Sequence, residues 1–340
     1  MKKILFTLCL AATLTGARGQ IYIDSYRFGG AAAECSGLLL DGDCLPDAEF
    51  AVSLRKLRSA YTGNCVEVRN ASTGRTFTVG FSGDFLDTVR LKDSCETANC
   101  FVRTWYDQSG LGRDATQTTD ARQPQITSSG TLYYSNGKVG MRFDGSGGTA
   151  DRLVAGTAGN FNFLHNGTPS TVLFVHRPGL VSSPIGALYA GMSTSTNGSD
   201  LDLGIGYSLR SDFRAAFSRN RLVTNAIGRG VVNTFAVINE TAQNAIDQNE
   251  INLYVDFLDA DNATAANRSY LYINDLSVVQ ANTYSAAVSA SNSDIFHIGA
   301  SKSDGNVFYG EMHEIILFDI DYSAKLSSLK TNINNFYSIW

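Results

Sequence analysis

Ile251-Asn-Leu-Tyr-Val-Asp-Phe257 and, past a polar loop, Ser269-Tyr-Leu-Tyr-Ile273-Asn274-Asp275-Leu276-Ser-Val278 are the stretches on which the reading of the fold turns. Both runs are short and rich in β-branched and aromatic residues, and Asp, Asn and Ser bound them. That is the composition of strands rather than helices. Asn274-Asp275 between Tyr272-Ile273 and the Leu276 to Val278 segment predicts a hairpin turn, so the flanking arms should run antiparallel.

Working outward, similar runs recur at 65–69, 76–81, 101–106, 140–143, 171–176, 201–208, 213–217, 231–239, 295–299 and 311–319, separated by Gly, Asn, Ser and Asp. No strand–helix rhythm alternates along the chain, which excludes a βαβ fold. Three helices are predicted. One runs from Pro46 or Asp47 to about Tyr61, where Phe50, Leu54, Leu57 and Tyr61 recur at helical spacing. A short one covers Leu86 to Lys92 behind Asp84 and Asp87. The last begins at Ser323 and carries Leu326, Leu329, Ile333 and Phe336 toward Trp340. The fold class is therefore all-β: an antiparallel β-sandwich of jelly-roll type with a few short peripheral helices. It should span residues 20–340 as a single domain.

The first residues read as an export signal. Lys2 and Lys3 precede an apolar run from Ile4 to Leu14, and Ala17-Arg18-Gly19 offers small residues for cleavage, so a signal peptide over 1–19 is expected. The run is too short to span a bilayer, and no second stretch of membrane length follows. A secreted, soluble chain without membrane insertion is the expectation. Loss of the leader takes the formal net charge from −5 to −8. A mildly acidic surface without basic blocks excludes nucleic acid and anionic membrane as partners. Charged residues make up only 17% of the chain, and a surface dominated by neutral polar groups suits an extracellular β protein that meets sugars. Beyond the leader, the cysteines are Cys35, Cys44, Cys65, Cys95 and Cys100, all in the first third. Cys35 with Cys44 and Cys95 with Cys100 form two close pairs, although spacing alone does not fix connectivity. Cys65 alternates with Val66 and Val68 and reads as a buried, inert thiol.

Two motifs carry a resemblance. Ala51-Val-Ser-Leu-Arg-Lys-Leu-Arg-Ser-Ala-Tyr-Thr-Gly63 and Thr104-Trp-Tyr-Asp-Gln-Ser-Gly-Leu-Gly-Arg-Asp-Ala-Thr-Gln117 resemble the catalytic domain of the fungal-type α-L-arabinofuranosidase B family. The resemblance covers about Cys35 to Phe143. It implies a concanavalin A-like lectin/glucanase sandwich, a helix carrying the Ser-Leu-Arg core, and disulfides Cys35–Cys44 and Cys95–Cys100. The second half departs from that family, whose nucleophile follows a Cys-Cys-Phe-Asp-Tyr-Gly-Asn segment. No cysteine occurs between Asp151 and Trp340, so the family's catalytic carboxylates do not carry over. Val139-Gly-Met-Arg-Phe-Asp-Gly145, Asp151-Arg-Leu153 and Tyr309-Gly-Glu-Met-His-Glu-Ile-Ile-Leu-Phe-Asp319 instead resemble laminin-G-like domains, which implies carbohydrate binding or a structural role.

Retaining glycoside hydrolysis needs two carboxylates about 5 Å apart. Glu311 and Glu314 are the best local pair, yet strand residues three apart face opposite sides unless a bulge intervenes. The plainer expectation is that Glu314 pairs within the sheet and Glu311 is solvated. Asp107, in Trp-Tyr-Asp-Gln-Ser-Gly, suits a turn whose carboxylate accepts backbone N–H bonds. It is also the third catalytic candidate. Trp105, Tyr106, Asp107 and Gln108 are the ligand-binding candidates, because an exposed ring stacks on sugar C–H groups. Asp200, Asp202, Asp259 and Asp261 have the loop-like spacing of a calcium site, the one cofactor these residues suggest. The histidines His165, His176, His297 and His313 are scattered, without zinc spacing. The leading functional expectation is a secreted, non-catalytic carbohydrate-binding or adhesion module for polysaccharide or cell-surface glycan. The alternatives are an arabinofuranosidase-type hydrolase with relocated carboxylates, and a structural or virion-associated module with a protein partner.

Overall fold

The strand Gly310–Phe318 lies at the centre of the molecule, paired antiparallel on one edge with Phe50–Ser53 and Met141–Phe143 and on the other with Ser170–Pro178. The computed structural model describes residues 37–42, 44–145, 149–157, 159–179, 190–191, 207–212, 222–228, 235–240, 246, 249–275, 279–280, 282–283, 295–300 and 307–340. The expected signal peptide, the 213–217 run, Cys35, Asp200 and Asp202 lie outside these residues.

From the centre, the ladder continues through Asn252–Leu258 to Ser269–Ile273 on one side. On the other it passes through Gln125–Ser128 and Cys100–Trp105 to Val66–Asn70 and Thr76–Val79. A further run links Ala115–Thr116, Leu153–Ala155, Phe296–Ile298 and Ala190–Gly191 to Tyr207–Asp212, Leu222–Gly228 and Phe235–Glu240. The sheet curls on itself, every pairing just traced is antiparallel, and the fold is the all-β, jelly-roll-like sandwich expected.

Side-chain alternation explains the layering. Phe50, Val52, Val172, Phe174, Ile315 and Leu317 enter one core, where they share space with Val66, Val68, Val102 and Trp105 from the opposite layer. Ala51, Leu173, Val175, Ile316 and Phe318 face the other way, beneath Leu39, Leu40 and Leu45 and the helical residues Leu329, Ile333 and Tyr337. The central strands are thus buried on both faces. Each such apolar side chain contributes about 1.5–3 kcal/mol relative to exposure.

The helix expected from Pro46 to Tyr61 does not form. Phe50–Ser53 is a strand buried at all four positions, and no helix covers 54–61. The 3.6-spaced apolar residues belong instead to a strand covered on both faces and to the irregular chain after it, and tertiary pairing overrides the local pattern. The two other helices stand. Thr88–Cys95 begins behind Asp87, whose carboxylate accepts the Arg90 N–H at 3.0 Å. The C-terminal helix Leu326–Tyr337 follows a single 3₁₀ turn over Ser323–Lys325. Ser323 is the first residue of that turn rather than a cap, and its N–H donates to the Asp321 carboxylate at 2.7 Å.

The arms around Asn274 pair antiparallel, in a register shifted from that of a two-residue turn. Leu271 pairs with Val279 and Tyr270 with Gln280, one residue further on than such a turn would place them. Asn274 adopts a left-handed conformation (φ 51°) and exchanges two bonds with Leu253, its N–H donating to the Leu253 carbonyl and its Oδ1 accepting the Leu253 N–H. The disulfide Cys95–Cys100 is present. Cys44 is also disulfide-bonded, and Cys65 is a free, fully buried thiol that burial pushes above its ordinary range. No helix among the described residues is long and apolar enough to cross a membrane.

Candidate functional site

The loop after Trp105 is a structural clamp. Trp105 is fully buried in the core. The Asp107 carboxylate accepts the N–H groups of Ala51, Ser109 and Arg113 at 2.9, 2.9 and 3.0 Å and the Ser109 hydroxyl at 2.6 Å. Gln108 accepts the Leu57 N–H through Oε1 at 2.8 Å and donates through Nε2 to the carbonyls of Ser53 and Arg55. With Asp107 and Gln108 buried and their polar atoms spent, Tyr106 is the one ring of this loop that keeps exposed surface.

Glu311 and Glu314 are brought to one face by the bulge their spacing required. Along Ser170–Pro178 the partner of Val175 is Glu314 and that of His176 is Met312, which leaves His313 as the extra residue. Both glutamates therefore lie opposite Met312 and Ile315, but neither is solvated. Glu314 is fully buried and accepts from Arg55 Nε at 2.7 Å, Arg55 Nη2 at 3.0 Å, Ser53 Oγ at 2.8 Å and Tyr337 Oη at 3.1 Å. Glu311, expected in solvent, is buried against Arg177 at 2.9 Å and Ser135 Oγ at 2.6 Å. His313 Nδ1 lies 2.9 Å from the Val139 carbonyl, and burial keeps its ring below the ordinary histidine range. An ion pair this well saturated holds the strand in place and leaves no oxygen for a substrate.

Two surface pockets collect groups from distant segments. In the first, of about 380 Å³, the rings of Tyr270 and Tyr272 share the lining with Asp259, Asn262 and Asn267 and with Asp321 and Ser323 from the segment just before the C-terminal helix. Positions 270 and 272 share a face by the two-residue period of a strand. Tyr272 is braced edge-on by Phe257, with centroids 5.8 Å apart, and Tyr270 Oη donates to Asn267 Oδ1 at 2.6 Å. Asp259 Oδ2 accepts from Asn262 Nδ2 at 2.6 Å. Of the calcium candidates, Asp259 is thus committed to this wall and Asp261 lies beside Gly167. No group of three or more metal-ligating side chains occurs among the described residues.

The second pocket, of about 200 Å³, holds Asp144, Asp151, Arg142, Gln125 and Phe101. Asp151 Oδ2 accepts the Asp144 N–H at 2.6 Å, and burial pushes its carboxyl up to about 7. Arg142 donates to Tyr309 Oη at 3.0 Å and stacks on the rings of Tyr133 and Tyr309. Sequence reasoning passed over both tyrosines of the first pocket and the Asp144–Asp151 pair. The Tyr-Leu-Tyr alternation in 270–272 was the available signal, but Asp321 and Ser323 lie some fifty positions further along the chain.

The layered antiparallel strands and these surface pockets define an all-β sandwich whose polar sites lie on loops and strand edges. No protein-family model and no curated protein matches the sequence. Among solved structures, an arabinofuranosidase complexed with arabinofuranosyl-α-1,2-xylobiose is similar, with a TM-score of 0.57 and 15% identity over 84% of this chain and 62% of that chain. A GH54 α-L-arabinofuranosidase soaked with a cyclic sulfate inhibitor gives 0.57 and 15% over the same 84% and 62%. The chain therefore spans less than two-thirds of the length of these enzymes, and at this identity the likeness is one of fold.

Proposed function

We propose that the protein is a secreted carbohydrate-binding module whose ligand is a neutral polysaccharide or cell-surface glycan. The observation that carries this reading is the Tyr270–Tyr272 pocket. Two partly exposed rings offer flat apolar faces for sugar C–H groups, and carboxylates and amides on the rim match the donor and acceptor pattern of vicinal hydroxyls. Its size approaches that of small-ligand sites, about 300–1,000 Å³. Asp259 and Asp321 give the pocket negative character, which favours uncharged glycans over acidic ones.

A second reading, glycoside hydrolysis, is favoured by one observation. Asp151 keeps its proton close to neutrality, as a general acid requires, in a pocket that also holds Asp144.

Affinity electrophoresis through neutral polysaccharides, with the same mixtures followed for released sugar, tests both readings. At least one neutral polysaccharide should retard the protein, and Tyr272→Ala should weaken that binding ~tenfold, which corresponds to ~1.4 kcal/mol. Retardation by none, or equal retardation of the folded variant, overturns the binding reading. Sugar release that disappears in Asp151→Asn replaces it with the hydrolase.

A further inference from the structure

Phe85, Lys138 and Phe336 come from three separate elements and converge on one cleft. Phe85 lies in the hairpin strand Phe85–Leu86, Lys138 in the hairpin strand Lys138–Val139, and Phe336 near the end of the C-terminal helix. The two rings are stacked, with centroids 5.5 Å apart and planes 26° from parallel. The Lys138 ammonium stands 4.1 Å from the Phe336 centroid and 5.1 Å from that of Phe85. The cleft measures about 280 Å³, with Leu54, Leu86 and Val139 also in its lining. Phe85 and Tyr134 keep 53% and 47% of their surface in solvent, so the cleft is open.

The charges around it are unevenly matched. Arg55, behind the cleft, is neutralised by Glu314 through two bonds, and Glu311 by Arg177. Lys138 has ring faces for partners and no carboxylate among the described residues. Asp84 and Asp87 flank Phe85 and Leu86 in sequence, yet neither lines the cleft. Burial, and then the Arg55 charge, hold the Lys138 ammonium below its ordinary range, as an uncompensated cation in apolar surroundings should be. Ring faces stabilise such a cation, and an anion would add a charge-assisted bond.

We propose that this cleft binds a small organic anion, its carboxylate on Lys138 and its apolar body against Leu86, Val139 and Phe336. No carboxylate or carboxamide lines the cleft to receive sugar hydroxyls, in contrast with the Tyr270–Tyr272 pocket, so the ligand class differs from that proposed there. The volume lies just under the usual range for small-ligand sites and suits a body the size of a single ring.

Benzoate and its neutral isostere benzamide, titrated calorimetrically into the full chain at low salt, test the proposal. Benzoate should bind saturably and benzamide at least ~tenfold more weakly, a gap of ~1.4 kcal/mol. Lys138→Met should bring benzoate down to the benzamide level, Lys138→Arg should retain binding, and added salt should weaken it. Tyr272→Ala should leave benzoate binding unchanged, so failure of the carbohydrate reading is distinguishable from failure of this one. Equal affinity for the two probes, undiminished binding by a folded Lys138→Met variant, or no benzoate binding at all overturns the proposal.

Discussion

Asp151 and Glu314 are both carboxylates withdrawn from water, and their partners set them apart. Glu314 meets a guanidinium, a hydroxyl and a phenol, and removing Arg55 would strand a buried charge at a cost of about 3–5 kcal/mol. Asp151 has one backbone N–H and a more distant Arg142, which do not offset its burial beside Asp144, so its carboxyl rises from 3.8 to about 7. Between these values the folded chain holds a proton that the unfolded chain has released, so the contribution is complete below about pH 4 and is lost as pH rises through 7. Asp151→Asn, which fixes the neutral form, should therefore melt above the wild type at pH 8, and the gap should close as pH falls toward 4. Thermal unfolding at the two pH values checks this. A variant no more stable than wild type at the higher pH would show that the carboxylate is already well accommodated. Sequence showed Asp151 only as part of an Asp-Arg-Leu motif, because the burial that shifts it comes from the packing around its pocket.

At the scale of elements, the clearest lesson lies between Phe50 and Tyr61. The residues Phe50, Leu54, Leu57 and Tyr61 follow a helical period, but the chain there is a strand followed by irregular backbone. Its polar groups are met from outside by Asp107 and Gln108. Alternation could not reveal the strand, since both of its faces are covered, whereas Val66–Asn70, buried at every second position, was legible. The Gln108 side chain replaces a missing ladder for Leu57, Ser53 and Arg55. Gln108→Ala leaves one buried N–H and two carbonyls without that partner, each at about 1–3 kcal/mol where water does not reach. We expect a loss of about 3 kcal/mol in urea unfolding with an unchanged denaturant slope. A loss under about 1 kcal/mol would mean that water enters and satisfies these groups. The bulge at His313 teaches the converse point. The sequence showed that Glu311 and Glu314 would share a face only across a bulge, but not that Arg55 and Arg177 would neutralise them there.

At the scale of the whole molecule, the antiparallel all-β arrangement was readable from short apolar runs and their turns, but Phe50–Ser53, Gln125–Ser128 and Leu222–Gly228 were not among those runs. The sites were not readable, because each wall of each pocket comes from a different region of the chain. Tyr272 and Asp321 line one pocket, and Phe85 stacks on Phe336. What unites the molecule is the pair of cores on either side of the central strands. Val172, Phe174, Ile315 and Leu317 fill one, and Leu173, Val175, Ile316 and Phe318 fill the other. A strand covered on both faces and paired on both edges cannot expose its amides without opening both cores, so its exchange should require global unfolding. Val66–Asn70 is also paired on both edges, but its second face is only half covered, and local opening there costs less. Native-state hydrogen exchange should therefore be slowest across Val172–Phe174 and Ile315–Leu317, at the free energy of complete unfolding. It should be measurably faster across Val66–Asn70. If the two regions exchange together under conditions that favour the fold, the second core adds no separate protection, and the two layers open as a single unit.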